Sequence, residues 1–359
     1  MTDTTKPSTP RGVEADAEAE AEAEASADAD AETGADAGGE GRLDRDGEAE
    51  LQAAVEEAGE IAEAVVENIQ RVIVGKEEPI EHLVTALLGG GHVLLEDVPG
   101  VGKTVLARAV ADSFDCSFRR VQFTPDLLPA DITGANVFDK STGEFEFRAG
   151  PVFANVVLAD EINRAPPKTQ AALLEAMEEE QATVDGESHP MPDPFVVVAT
   201  QNSVEREQTY ELPVAELDRF MLKLRLGYPE ADEETTVIDR AVGGHAIDDI
   251  GAVASVEDLR RARRTTGEIT VREPIRAYVT RLVRYTREEA RLGASPRGSI
   301  ALVRAAQGRA LLDSRTYVVP DDVQAAAPFA LPHRMRTAPG EDDADEVVRA
   351  ALETVPVEE

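Results

Sequence analysis

Apolar and polar positions along this 359-residue chain fall into distinct regimes. The stretch "EADAEAEAEAEASADADAETGADAGGEGRLDRDGEAE" alternates alanine with acid and holds no large apolar residue before Leu43. Such a segment buries too little surface to offset the entropy of ordering it, so residues 1–52 are expected to be a disordered acidic tail. From about residue 58 to 88, apolar residues recur at helical spacing, first Ile61, Val65 and Ile69, then Ile80, Leu83 and Leu87, with "VIVGKEE" between them. That spacing predicts two helices around a short break. The pattern then changes to compact apolar runs, "HVLLE", "NVVLAD", "FVVVATQ" and "MLKLRL", separated by helical patterns and turn signals. Buried parallel strands look like this, so an α/β fold with helices covering a parallel sheet is expected. Beyond "LGYPEADEE", near residue 228, helical segments take over. The expected division is therefore a tail over 1–52, an αβα core over 53–228 and a helical domain over 229–359; no repeat of fixed period stands out.

Charge changes this picture in one respect. The chain has 71 acidic and 36 basic side chains, a net of −35. Residues 1–50 account for 16 acids and 4 bases, a net of −12, which leaves −23 on the remaining 309 residues, so the acidity is not confined to the tail. Only six of the basic residues are lysine. An acidic, lysine-poor surface fits a halophile's protein, because screening over about 3 Å at 1 M salt removes the self-repulsion. The same field repels phosphate backbones and argues against a nucleic-acid partner. No apolar stretch approaches the roughly 20 residues of a membrane-spanning helix, and "MTDTTKPSTP" lacks a signal peptide's apolar middle, so a soluble, cytoplasmic protein without membrane insertion is expected. Cys116 is the sole cysteine and the five histidines show no metal-ligand spacing, which excludes an internal disulfide and a thiolate metal cluster.

The candidate chemistry begins at "LLEDVPGVGKT", residues 94–104. A strand, a glycine-bearing loop and the helix "KTVLARAVADSF" follow one another in the order of a phosphate-binding loop. Glycines let backbone N–H groups approach phosphates, a helix N-terminus favours negative charge, Lys103 would sit on the β- and γ-phosphates, and the Thr104 hydroxyl would ligate Mg²⁺. Asp97 stands where the general pattern asks for glycine, and a plain strand-to-helix turn has the same local composition. A second element answers that alternative. "NVVLADEINRA" is an apolar strand ending in Asp160 and Glu161, adjacent carboxylates whose side chains would point opposite ways on a strand, so that Asp160 would hold Mg²⁺ and Glu161 would face the attacking water as general base. An aspartate capping a helix is the bland reading of that pair. Two matches in the correct order point to ATP.

Together with "GPVFANVVLADEINRAPPKTQAALLEAMEE", "VDGESHPMPDPFVVVATQN", "ELPVAELDRF" and "GASPRG", the loop resembles the MoxR family of AAA+ ATPases over about residues 58–336. The resemblance implies an AAA+ P-loop NTPase core followed by a small α-helical lid. It accounts for Asp97, since "EDVPGVGKT" is a usual family form. It implies that Val74 and Gly75 pack against adenine and that Pro99, Gly100, Val101, Gly102, Lys103, Thr104 and Val105 line the phosphates. Asn202 resembles the sensor that positions the attacking water, a role its amide suits; an Asn satisfying a turn after a strand is the bland alternative. Arg219 in "ELDRF" resembles the arginine finger that reaches a nucleotide on the neighbouring subunit, against the simpler reading of a surface arginine paired with Asp218. Ser295 and Pro296 read as N-cap and first helical residue, which puts Arg297 in a first turn where the helix dipole disfavours a cation; the resemblance makes it a sensor arginine on the γ-phosphate.

"FDKSTGEFEFRAGPVF" alternates around a glycine turn, with Phe145 and Phe147 on one face and Glu144, Glu146 and Arg148 on the other, and "QATVDGESHPMP" carries an Asp-Gly turn signal. Both read as hairpins, and the resemblance makes them inserts that face a ring's central channel or client. His189 stands where the family often has an aromatic. The implied partners are a homo-oligomeric ring, by resemblance a hexamer, and client proteins with von Willebrand A domains. A nucleic-acid motor and a nucleotide-gated scaffold are the alternatives. The acidic field and 4% aromatic residues weigh against the first, and Glu161, Asn202, Arg219 and Arg297 against the second.

Overall fold

A computed structural model of the chain describes residues 45–202, 210–242, 250–338 and 343–357. In chain order its elements are α1 (Arg45–Gln70), α2 (Glu77–Leu88), β1 (Val93–Asp97), α3 (Lys103–Ser113), β2 (Phe118–Gln122), α4 (Pro129–Thr133), β3 (Gly134–Asp139), β4 (Glu144–Ala149), β5 (Val156–Asp160), α5 (Pro167–Glu179), β6 (Gln181–Val184), β7 (Glu187–Pro190), β8 (Val196–Asn202), α6 (Val214–Leu217) and β9 (Leu222–Leu224). The helices α7 (Ala231–Val242), α8 (Val256–Glu268), α9 (Glu273–Glu289), α10 (Pro296–Leu312), α11 (Pro320–Ala330) and α12 (Ala344–Thr354) complete the chain.

Five strands form a parallel sheet in the order β2-β5-β8-β1-β9. Alternate strand residues feed two different cores, as the period of two requires. Val93, Leu95, Leu158, Val198 and Leu222 face α1, α2 and α3, whereas Leu94, Val157, Ala159, Val197 and Ala199 face α5. Burying each such aliphatic side chain contributes about 1.5–3 kcal/mol, which explains why the apolar runs are continuous instead of alternating. The first core continues through Leu259, Leu282, Leu302 and Val323 of the C-terminal helices, so α1 and α2 pack against α8 and α10 as well as against the sheet.

Helix α1 starts inside the segment expected to lack structure up to residue 52. Leu51 and Val55 are buried and extend the helical stripe of Ala58, Ala62, Val65 and Ile69 toward the N-terminus. Alanine and glutamate are strong helix formers, so once Leu51 anchors one face the helix runs back to Arg45. The remainder of the expected tail, residues 1–44, lies outside the described residues.

Both expected hairpins are present. Strands β3 and β4 pair antiparallel around Gly143 (φ 76°), and β6 and β7 pair around Asp185 and Gly186 (φ 51° and 87°), two successive left-handed residues of the kind a tight hairpin turn needs. They touch one another. His189 stacks on Phe147 with centroids 3.7 Å apart, Phe153 meets Phe147 edge-on at 5.6 Å, and the Asn136 amide donates to Asp185 at 2.9 Å. At position 189 the imidazole ring thus stacks as an aromatic would. Phe138 and Phe145, 5.3 Å apart, remain exposed at the first hairpin.

Candidate functional site

The C-terminal ends of β1, β5 and β8 converge at one edge of the sheet. Strand β1 delivers the loop Val98–Gly102, in which Gly100 (φ 86°) and Gly102 (φ 97°) adopt left-handed backbone. Gly102 caps α3 without any side chain bonding to the helix, and no acidic residue occupies its first turn. The first amides of α3 therefore point out of the helix with no side-chain acceptor, and a Cβ at Gly100 would meet nothing within 4 Å. This is an open cradle of N–H donors at the positive end of a helix dipole, which fits a phosphate. The Lys103 ammonium folds back on the loop, donating to the carbonyls of Asp97 (2.8 Å) and Val98 (3.0 Å). Burial pushes its pKa below the ordinary value, while Asp97, Asp160 and Glu161 pull it back up. Thr104 and Val105 lie in the same first turn, and Val101 and Val105 pack on the core below.

Asp97 has a definite task that the general loop pattern leaves unfilled. Its carboxylate accepts from the backbone N–H of Leu226 and from Gly227 at 3.2 Å, tying the start of the loop to the turn that leads into α7. Asp97→Ala leaves those donors without their acceptor, the first of them buried, and is expected to lower stability by about 1–3 kcal/mol, read as the shift in a urea midpoint at unchanged slope.

The paired acids are not separated by strand alternation, contrary to the expectation from sequence. Asp160 ends β5, but Glu161 leaves the strand in a left-handed conformation (φ 57°, ψ 50°) and caps a 3-10 turn over Ile162–Arg164. Thr200, on the neighbouring strand, holds this turn from both sides: its hydroxyl donates to Asp160 Oδ1 (2.6 Å) and accepts from the Glu161 N–H (2.8 Å). The second oxygen of Asp160 takes Arg120, from Nε at 3.0 Å and Nη2 at 2.6 Å. Glu161 Oε2 accepts from Gln122 Nε2 (2.7 Å) and Arg164 Nη1 (2.8 Å). Thr200, Arg120, Gln122 and Arg164 were not singled out in the sequence. Thr200, two residues before Asn202 in "FVVVATQN", carried the only local signal, a hydroxyl at the end of a buried strand. Asn202 is buried at the end of β8 and pairs in register with Asp97, which brings it to the loop edge. The strand carrying it lies between β5 and β1.

The two remaining arginines lie elsewhere. Strands β1 and β9 are parallel, Val93 opposite Leu222, and the Met221 N–H donates to the His92 carbonyl at 2.8 Å. Arg219, just before β9, therefore sits at the edge where β1 begins, while the phosphate loop leaves where β1 ends. Five strand residues, roughly 15 Å at about 3.3 Å each, separate the two edges. Arg219 donates to the Leu174 carbonyl at 2.6 Å and pairs with Glu178 at 3.6 Å. Arg297 bonds the other oxygen of the same Glu178. The expected cap is present, with Ser295 Oγ accepting from the Arg297 N–H at 3.0 Å. Asp218, which the simpler sequence reading paired with Arg219, instead takes Arg334 at 2.9 Å and the Ser295 hydroxyl at 2.7 Å. Both arginines are thus held on one surface by an acid, Glu178, that sequence reasoning missed.

Val74 and Gly75 lie in the link between α1 and α2, where Gly75 has φ 67° and the Ile73 side chain reaches to 4.0 Å from the position of a Cβ at Gly102. Among the described residues no cluster of three or more histidine, cysteine or acidic side chains could hold a metal by itself, and no helix is long and apolar enough to cross a membrane.

Comparison with known proteins identifies the family. Residues 92–222 match the ATPase family associated with various cellular activities (AAA), and residues 284–352 match the AAA lid domain. The chain is 51% identical over 298 residues to the uncharacterized protein YeaC of Bacillus subtilis, covering 81% of this chain and 93% of that one. It is 42% identical over 284 residues to the chaperone MoxR1 of Mycobacterium tuberculosis, covering 76% and 75%. A crystal structure of a candidate ATPase from Cytophaga hutchinsonii superposes with a TM-score of 0.79 at 36% identity, covering 86% of this chain and 99% of that one. On these identities and family matches the chain belongs to the MoxR family of AAA+ ATPases, an ATP hydrolase with an AAA core followed by an AAA lid.

Proposed function

We propose that this ATPase hydrolyses ATP between neighbouring subunits of a ring, by family resemblance a hexamer, and uses the resulting motion to remodel, assemble or activate partner proteins. The observation that carries the reading is the separation of the machinery onto two edges of one sheet. Lys103, Thr104, Asp160, Glu161 and Asn202 share the edge that binds nucleotide; Arg219 and Arg297 occupy the other, out of reach of their own subunit's loop. Stacking copies edge to edge brings the arginines of one to the nucleotide of the next, the closed symmetric arrangement that a head-to-tail interface generates.

Within one site, the α3 amides and the residues Pro99–Val105 hold the phosphates, Val74 and Gly75 flank the base, and Lys103 leaves its loop carbonyls to neutralise the β- and γ-phosphates. Thr104 and Asp160 would hold Mg²⁺, which when bound offsets phosphate charge. The donor set fits a hard cation, one hydroxyl and one carboxylate, provided that Asp160 Oδ2 exchanges Arg120 for the metal. Glu161 takes a proton from the attacking water, Asn202 orients that water, and the neighbour's Arg219 and Arg297 stabilise charge on the transferred group. Glu178 keeps the two cations paired in the isolated subunit.

The joined hairpins, with Phe138 and Phe145 exposed, face the ring channel or client in this reading, and von Willebrand A domain proteins are the client class by resemblance. The acidic, lysine-poor composition supports a halophilic source.

Sedimentation velocity with and without ATP tests the proposal together with turnover in the presence of a von Willebrand A domain protein. Nucleotide-dependent assembly to about six subunits and client-stimulated turnover are expected. A protein that stays monomeric at saturating ATP overturns the ring, and stimulation by DNA or RNA instead of protein turns the reading to a nucleic-acid motor.

A further inference from the structure

Beside the phosphate loop lies a cavity of about 450 Å³, bounded by Gly75, Lys76, Pro79, Arg225, Leu226 and Glu233, within the size range of small-molecule sites. One lining residue touches the start of the loop directly, the Leu226 N–H donating to Asp97, and Ile73, two residues before the lining Gly75, approaches Gly102. A nucleotide with its phosphates on the first turn of α3 therefore has this cavity within reach of its base. The inference rests on that nucleotide placement.

Glu233, the third residue of α7, projects into the cavity. Its two oxygens have different surroundings. Oε2 accepts from the Glu230 N–H at 2.8 Å, closing the start of the helix, and pairs with the Lys76 ammonium at 3.5 Å. Lys76 is itself held by the Tyr228 carbonyl at 3.0 Å. Oε1 has no hydrogen-bond partner among the described residues and lies over Gly75, where a Cβ would overlap the carboxylate. Capping explains Oε2 and leaves Oε1 unaccounted for: an acceptor presented above a floor kept bare by glycine. An ionised carboxylate has no proton to donate.

We propose that Glu233 sets the base preference of this ATPase, with Oε1 accepting from the exocyclic amino group of adenine and opposing guanine, whose oxo group at the same position would set lone pair against lone pair. Lys76 offsets the charge that the acid brings near the nucleotide. Sites built to hydrogen-bond a ligand group discriminate strongly against analogues that lack it, because the buried partner is left unpaired.

Equilibrium titration of the full-length protein with ATP, GTP and purine riboside triphosphate, which lacks the exocyclic amine, provides the test. Wild type should hold ATP at least about tenfold more tightly than the purine riboside analogue, the discrimination expected of a hydrogen bond to a charged group. Glu233→Ala should bind those two alike. Glu233→Gln keeps an oxygen for the Glu230 N–H and gains a donor that suits an oxo group, so its GTP-to-ATP affinity ratio should rise about tenfold; loss of a purely capping role would not move that ratio. Identical ATP-to-GTP ratios in wild type and Glu233→Gln overturn the assignment. A wild type that takes up none of the three triphosphates overturns the nucleotide placement itself, and the assignment with it.

Discussion

Glu161→Gln is expected to lower turnover by about 10²–10⁴-fold, the contribution of a positioned general base, while leaving ATP binding intact. The substitution keeps the shape of the side chain and one oxygen for Gln122 and Arg164, which now grip Oε2 at 2.7 and 2.8 Å. It removes the negative charge and the site that takes the proton. The left-handed backbone at residue 161 is anchored by its own N–H on Thr200, a contact the substitution does not touch. Phosphate release measured beside equilibrium binding of a fluorescent ATP analogue separates the two effects. Wild-type turnover in the variant takes the base role away from Glu161, whereas loss of both binding and turnover points to damage at the loop edge.

The second large effect comes from mixing variants. Arg219→Ala alone should cost about 10³–10⁵-fold in rate, the value of an arginine supplied in trans, and Lys103→Ala should abolish turnover by removing the phosphate-neutralising cation. Mixed in equal amounts, the two should recover activity. Roughly a quarter of the interfaces in a randomly mixed ring pair an intact loop with an intact arginine. The proposed ring predicts this outcome, because Arg219 lies just before β9, at the edge where β1 begins, and the loop lies at the end of β1. A mixture of Arg219→Ala and Arg297→Ala reads the shared Glu178. If both arginines serve the same neighbouring nucleotide, no interface in that mixture is whole and no recovery follows. Recovery there would assign Arg297 to its own subunit's nucleotide. Sedimentation of each variant ensures that the rings compared are assembled.

Local patterns made the nucleotide edge legible. Glycines at positive φ, an uncapped helix start behind an apolar strand, and an acid pair ending a second strand are features of a few consecutive residues, each with its own physical signature. The hairpins were equally legible, because alternation and an Asp-Gly turn are read within about a dozen residues. Other features were hidden because they pair residues far apart in sequence. Nothing around Glu178 in "LLEAMEEE" marks it as the acceptor of Arg219 and Arg297, the second of them 119 positions away. The resemblance allowed for Asp97 in place of glycine, but its task, accepting from the N–H groups of Leu226 and Gly227, 129 and 130 positions on, was visible only in the structure. The upstream end of α1 was misread for a related reason: alanine and glutamate suit a solvated tail or a helix equally, and burial of Leu51 decides between them.

By itself the sequence determined the alternation of strands and helices, the order of the loop, the acid pair and Asn202, and the chemistry each residue type can perform, because backbone propensity and side-chain functional groups are properties of short segments. Only the tertiary structure decided which carboxylate oxygen holds which cation, that the arginines stand on the edge opposite the phosphate loop, and that His189 stacks between two hairpins. Those outcomes depend on strand order and on side chains meeting across the sheet, and such meetings are selected by the packing of the whole core.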